Sequence, residues 1–331
     1  MSAQSSELHR SGTLASEEVG FPPRPRSEIK VMITGASGLL GRALMKEFSA
    51  FDVHGVVYSR LPEGDTRYHR CDLTDVKAME ALYHEICPEL VIHAAAERKP
   101  DRCENEQGAT EALNVGTTAA LARLVLGSKG NCFLLVISTD YVFDGTQPPY
   151  KPNAPTNPLN YYGVTKRDAE DALWKSGHTG GVLRVPILFG PVENLNESSP
   201  TSLVPQLLAA KESGTPVKVD DWAVRWPTHV DDVARACRRL CERRLRHCML
   251  SGTWHFAGPV RTTKYGMALD IAKYLGVPPE LVIADGAPPA GAARPKDCTL
   301  DTTALCLMGI CKASEQKVFA DTIGDIIKPH L

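Results

Sequence analysis

Between Lys30 and residue 190, short apolar runs alternate with stretches of helical spacing. The runs are Val31-Met32-Ile33, Val53 to Val57, Leu90-Val91-Ile92, Phe133 to Ile137 and Val182 to Val185. Between them, Ala43 to Phe48, Met79 to Ile86, Ala112 to Leu126 and Tyr162 to Trp174 bring apolar residues onto one face of a helix. Runs without strict alternation indicate strands covered on both faces, as in a parallel sheet. The pattern predicts an α/β fold: a doubly wound parallel sheet of Rossmann type.

Past Gly190 the alternation fades. Asn194 to Pro200 reads as loop, Leu203 to Lys211 as helix, Val217-Lys218-Val219 as a short strand, Val230 to Leu245 as helix, Gly252 to Ala257 as strand and Lys264 to Leu275 as helix. Gly286 to Ala293 is a surface loop. Residues 1–28, with Phe21-Pro22-Pro23-Arg24-Pro25-Arg26, suit neither helix nor central strand and read as a flexible leader. The expected organisation is leader 1–28, dinucleotide-binding domain 29–190, and a small mixed C-terminal lobe 191–331 that partly returns to the sheet.

The charges nearly cancel over the 331 residues, with 37 Lys and Arg against 39 Asp and Glu. This argues against a general polyanion binder. No apolar run is long enough to cross a membrane, and the N-terminus has no secretory core. The ten cysteines are scattered, so reduced thiols and a cytoplasmic setting are expected.

The first run leads directly into Thr34-Gly35-Ala36-Ser37-Gly38-Leu39-Leu40-Gly41-Arg42. Gly35 permits a tight turn, Gly38 lets a pyrophosphate approach, and Gly41 allows close helix packing. Amides at a helix start hold phosphate, so Gly35, Ser37, Gly38, Leu39, Leu40 and Gly41 are candidate cofactor contacts. The second strand ends in Val57-Tyr58-Ser59-Arg60, with no carboxylate for a ribose 2′-hydroxyl. Ser59 and Arg60, helped by Arg42, suit a 2′-phosphate, which predicts NADP over NAD.

Tyr162-Gly163-Val164-Thr165-Lys166 puts a phenol and an ammonium on one helix face. A cation there is expected to lower the tyrosine pKa and make Tyr162 a proton donor to a carbonyl. Thr139 closes an apolar strand upstream and could bond the same oxygen.

These residues resemble the extended short-chain dehydrogenase/reductases over about residues 29–328. The resemblance implies further cofactor contacts at Asp72-Leu73, Ala94-Ala95-Ala96, Asn114 and Pro186, and a catalytic triad of Thr139, Tyr162 and Lys166. Ser138 to Gly145 and Pro158 to Lys166 resemble both the dTDP-4-dehydrorhamnose reductases and the regulatory β subunits of methionine adenosyltransferase. Ala94 to Asp101 with Glu104-Asn105, Pro186 to Ser198, Arg225 to Ala234 and Arg294-Pro295-Lys296 look like the β subunits. That resemblance implies a non-catalytic NADP-binding partner of a catalytic methionine adenosyltransferase, with the triad only holding cofactor. The alternative is an NADPH-dependent reductase of a 4-keto nucleotide sugar. The β subunits carry a longer basic, aromatic tail that contacts the catalytic subunit, which the residues up to Leu331 do not match, so the resemblance leaves the docking mode open. The chain has no P-loop lysine motif and no Asp-rich metal cluster, which fits a non-catalytic role.

Cys237-x-x-x-Cys241 with His247-Cys248 suggests zinc, but the spacing is wrong and the surrounding arginines favour a solvated helix, so no metal is predicted. Arginines 235, 238, 239, 243, 244 and 246 form a basic face that could meet an anionic surface. Trp226 reads as packing, His229 as a structural histidine, and Arg294 as either a surface charge or a grip on substrate phosphate.

Overall fold

The computed structural model describes residues 24–128, 132–177, 180–247 and 249–331. Its first half runs β1 (Lys30–Thr34), α1 (Leu39–Glu47), β2 (Asp52–Val57), β3 (Tyr68–Arg70), α2 (Val76–Ile86), β4 (Leu90–His93), α3 (Pro100–Asn105), α4 (Gln107–Glu111), α5 (Thr117–Gly127), β5 (Phe133–Thr139), α6 (Tyr161–Lys175) and β6 (Gly181–Val185). The second half adds β7 (Leu188–Phe189), α7 (Leu203–Ser213), β8 (Val217–Asp220), β9 (Thr228–His229), α8 (Val230–Arg246), β10 (Gly252–His255), α9 (Lys264–Leu275), β11 (Val282–Asp285), α10 (Thr303–Leu307) and α11 (Phe319–Ile327).

Seven strands form one sheet in the order β10-β6-β5-β4-β1-β2-β3. Every pair in it is parallel, so the predicted doubly wound sheet is what the chain builds. The apolar runs serve both faces. Val31, Ile33, Leu90, Ile92, Phe133 and Leu135 pack with α1 and α8, while Met32, Val91, Leu134 and Val136 pack with α2 and α5. The strand order reverses between β1 and β4, which opens a crevice at their carboxyl ends.

The C-terminal lobe has its own core, with Leu203, Leu207, Val219, Met267, Ile271, Phe319 and Ile323 packed around the parallel ribbon β8–β11. The lobe is not one continuous stretch. α8 covers the main sheet, β10 extends it, and Leu305 and Ile310 join the same core, whereas Phe189 already belongs to the lobe.

Two details depart from the sequence expectation. Ala112 to Leu126 is not a single helix: Ala112–Gly116 forms a π turn, and α5 follows. Leader residues 24–28 are seated on the body, where Arg24 pairs with Glu89 at 2.7 Å and Arg26 with Glu242 at 2.6 Å. Residues 1–23 of the predicted leader lie outside the described residues. Among the described residues no helix is long and apolar enough to cross a membrane.

Candidate functional site

Because all seven strands point the same way, the predicted site residues gather along one edge of the sheet. Gly35 follows β1, Ser59 and Arg60 follow β2, Ala94-Ala95-Ala96 follow β4, Thr139 ends β5, and Pro186 follows β6. Gly35 has φ +68°, and a Cβ there would lie 2.9 Å from the Ala95 backbone. A Cβ on Gly41 would collide with the Gly35 carbonyl oxygen. Gly38 caps α1 without any side-chain hydrogen bond, and the first turn has no acidic residue. The amides of Leu39, Leu40 and Gly41 and the positive end of the helix dipole therefore face the crevice. Thr34 braces this loop: its hydroxyl accepts from the amides of Ala94 (3.2 Å) and Ala95 (3.3 Å) and meets Nδ1 of buried His93 at 2.7 Å. Burial, with Lys166 nearby, depresses the His93 pKa to about 3, so this imidazole is neutral.

Asp72 and Leu73 act locally in the loop before α2. The Asp72 carboxylate accepts from the Thr74 amide at 2.9 Å, and the Leu73 carbonyl accepts from Thr117 Oγ1 at 3.2 Å. Asn114 sits on the π turn, where one extra residue per turn re-aims a side chain. Its amide is fully used. Oδ1 accepts from the Glu97 amide (2.8 Å), and Nδ2 donates to the Glu97 carbonyl (3.0 Å) and to Thr165 Oγ1 (3.1 Å).

The two predicted phosphate arginines already have carboxylate partners, which sequence reading did not anticipate. Arg42 donates to Glu197 through both terminal nitrogens, at 2.7 and 2.8 Å, and also to the carbonyls of Ser37 and Pro191. Arg60 pairs with Glu193. Arg98 donates to the Glu197 carbonyl. Residues 191–197 thus form a flap against Arg42, Arg60 and Arg98. Their acidic positions are visible in the sequence, but nothing local ties them to arginines more than 130 positions away.

The expected effect of Lys166 on Tyr162 is corrected. Tyr162 lies beside the Thr139 hydroxyl and packs edge-on to Tyr141 at 6.1 Å. Burial nonetheless pushes its pKa above the ordinary phenol value; the Thr139 hydroxyl pulls it back, and Asp140 reinforces the rise. Lys166 is itself buried, which depresses its pKa to about 8, and Glu170 opposes that shift. Glu170 is held by Arg184 at 2.6 Å, with both groups buried. The ammonium therefore faces an acidic residue one turn along its own helix.

Other groups line the floor of the crevice. Asp140 is buried, which raises its carboxyl to about 6 against the pull of Arg225. It accepts from Thr139 Oγ1 at 3.1 Å. Arg225 donates to the Tyr141 hydroxyl at 3.3 Å and lies over the Tyr141 ring. Arg294 is engaged by Asp101 at 2.7 Å and by the carbonyls of Ala290 and Ala292.

The remaining side features fall to structure. Trp226 donates to Thr299 Oγ1 at 2.8 Å, and His229 caps α8 by accepting from the Asp231 amide at 3.1 Å. Cys237 and Cys241 are fully buried against the sheet, which corrects the solvated-helix expectation; Cys248 lies outside the described residues. Among the described residues no three His, Cys, Asp or Glu side chains group to hold a metal. Within the basic face, Arg235 pairs with Asp232, Arg238 with Glu47 and Glu242, and Arg239 with Glu315. Arg244 is buried over Phe133.

Comparison with known proteins agrees with this geometry. A family model described as the RmlD substrate binding domain matches residues 29–326. Methionine adenosyltransferase 2 subunit beta of Rattus norvegicus is 40% identical over 299 residues, covering 90% of this chain and 86% of that protein. A dTDP-4-dehydrorhamnose reductase of Streptomyces griseus is 30% identical over 262 residues, 78% of this chain and 79% of its own length. The dTDP-4-dehydrorhamnose reductase of Bacillus anthracis, solved in complex with NADP, shares the fold with a TM-score of 0.72 at 24% identity, covering 91% of this chain and 98% of that one.

Proposed function

This chain belongs to the RmlD substrate binding domain family and groups with the methionine adenosyltransferase 2 beta subunits, and from that premise we propose that it is a non-catalytic NADP-binding regulatory subunit that modulates S-adenosylmethionine synthesis. The observation that carries the reading is the 40% identity to a named β subunit over 90% of the chain. Its partner is a catalytic methionine adenosyltransferase. The reading assigns it to the cytoplasm, in keeping with the scattered cysteines of the sequence.

The crevice fits a nicotinamide dinucleotide, because Gly35 and Gly41 let the phosphate loop turn tightly and pack against the Ala95 and Ala36 backbone, where a Cβ would collide. In this reading, the backbone from Gly35 to Gly41 holds the pyrophosphate and Asp72-Leu73 borders the adenine. Arg60 meets the 2′-phosphate, and Ala94-Ala95-Ala96 lie beneath the cofactor. Lys166 and Tyr162 hold the nicotinamide ribose, and Pro186 flanks the ring. Bound NADPH supplies a hydride donor. The resting side chains do not favour using it: burial raises the Tyr162 pKa and weakens it as a proton donor, and the Asn114 amide is committed to residue 97.

The placement of Tyr162 beside Thr139 favours a second reading, reduction of a 4-keto nucleotide sugar with Tyr162 as proton donor and Thr139 orienting the oxygen. Tyr162→Phe separates the two. As a regulator, the variant should still change the rate of S-adenosylmethionine synthesis by the catalytic subunit. The reductase reading is the correct one if the chain leaves that rate unaltered, consumes NADPH with a 4-keto nucleotide sugar, and loses that turnover in the variant.

A further inference from the structure

We propose that Glu193 sets the preference between NADP and NAD by acting as an internal competitor for the cofactor's 2′-phosphate; this rests on the NADP reading above. The two arginines flanking the phosphate loop differ in how firmly they are held. Arg42 is bound to Glu197 through both terminal nitrogens, at 2.7 and 2.8 Å. The Glu197 side chain is only 7% exposed, and its Oε2 also accepts from the Glu193 amide at 2.8 Å. Breaking that pair would strand a buried charge, so Arg42 is committed to the fold.

Arg60 is held loosely. Its side chain is 48% exposed, its main partner Glu193 is 47% exposed, and the buried Glu197 carboxylate approaches it only to 3.5 Å. Exposed pairs of this kind contribute little, about 0–1 kcal/mol, so Arg60 can change partners. It follows directly on the end of β2, where the adenosine ribose of a bound dinucleotide lies. The flap backbone stays in place during the exchange. The Glu193 amide is bonded to Glu197, and the Val192 carbonyl meets His330 Nε2 at 3.1 Å. Only the Glu193 side chain, whose other carboxylate oxygen lies 3.5 Å from an Arg42 terminal nitrogen, has to swing away.

A 2′-phosphate brings roughly one and a half to two negative charges near neutral pH. It competes with one carboxylate for Arg60 and is repelled by that carboxylate once it binds. NAD carries a hydroxyl at the same position and leaves the Arg60–Glu193 pair intact. The cost imposed by Glu193 therefore falls on NADP alone.

The test titrates the full chain with NADP and with NAD by calorimetry at fixed low salt, in wild type, Glu193→Gln, Arg60→Ala and the double variant. Glu193→Gln should tighten NADP about two- to five-fold and leave NAD unchanged. Arg60→Ala should weaken NADP about ten-fold or more and abolish the gain from Glu193→Gln. The proposal is overturned if Glu193→Gln shifts both dinucleotides equally, shifts neither, or keeps its gain without Arg60. If wild type binds NAD and NADP not at all, the NADP reading fails, and this proposal with it.

Discussion

Lys166 is a cation held where a cation is costly. Burial brings its pKa to about 8, against about 10.4 in an unfolded chain. Between those values the folded protein binds fewer protons than the unfolded one, so this group makes stability rise with pH through that window. Below the window the penalty is constant. Lys166→Met should therefore raise the Tm of the cofactor-free chain at pH 7, by about 1–3 kcal/mol of stability, while weakening NADP binding. A lower Tm by differential scanning fluorimetry would contradict this account of the residue. Gly35→Ala should act in the opposite sense, costing about 1 kcal/mol or more and abolishing NADP binding, because its φ of +68° and the Ala95 backbone leave no room. The glycines are legible in the sequence because their constraint is local. The Tyr162–Lys166 spacing is legible for the same reason. Their protonation is not, because it depends on burial and on Glu170, Asp140 and Arg98, which only the fold brings near.

Between elements, the Glu170–Arg184 pair joins α6 to β6 and carries the Arg184 guanidinium over the Phe143 ring at 5.0 Å. Removing Arg184 takes the paired guanidinium from a buried carboxylate and leaves it only the Ser138 hydroxyl and the influence of Lys166. Arg184→Leu should cost about 3–5 kcal/mol, read as a lower urea midpoint with the slope unchanged; a midpoint equal to wild type would mean that the pair contributes nothing. The sheet strands were readable because each central strand is an apolar run that needs no partner to identify it. β3 was missed because its three residues lie at the sheet edge and none is fully buried. The two-residue strands β7 and β9 exist only through their pairing with each other. α11 was missed for a different reason: Phe319, Ile323, Ile326 and Ile327 do carry helical spacing, and they complete the lobe core. The π turn at Asn114 could not be read, because an extra residue in a helix has no compositional mark.

At the scale of the whole molecule, three buried histidines make the fold sensitive to acid. Burial takes His93 and His255 to about 3 and His229 to about 4, from about 6.5 unfolded. As pH falls below 6.5 the unfolded chain binds protons that the folded chain refuses, so stability is lost. Asp140, raised to about 6, works the other way between roughly pH 6 and 4. The three imidazoles titrate over the wider window, so stability falls as pH drops from 6.5 towards 5. Urea midpoints from pH 7.5 to 5 should fall steeply; a flat profile would mean that these imidazoles are charged in the fold. The alternation fades past Gly190, near where Phe189 enters the core built around β8 and β11. The return of α8 and β10 to the main sheet was only partly legible, because their apolar faces do not say which core they enter.

The central claim is that this chain works by binding a catalytic methionine adenosyltransferase. Its most direct test is to mix the full chain with that catalytic subunit, with and without NADP, and to weigh the species by light scattering after gel filtration. The account predicts one co-eluting complex with a mass that includes both chains. Two separate peaks under both conditions would contradict it.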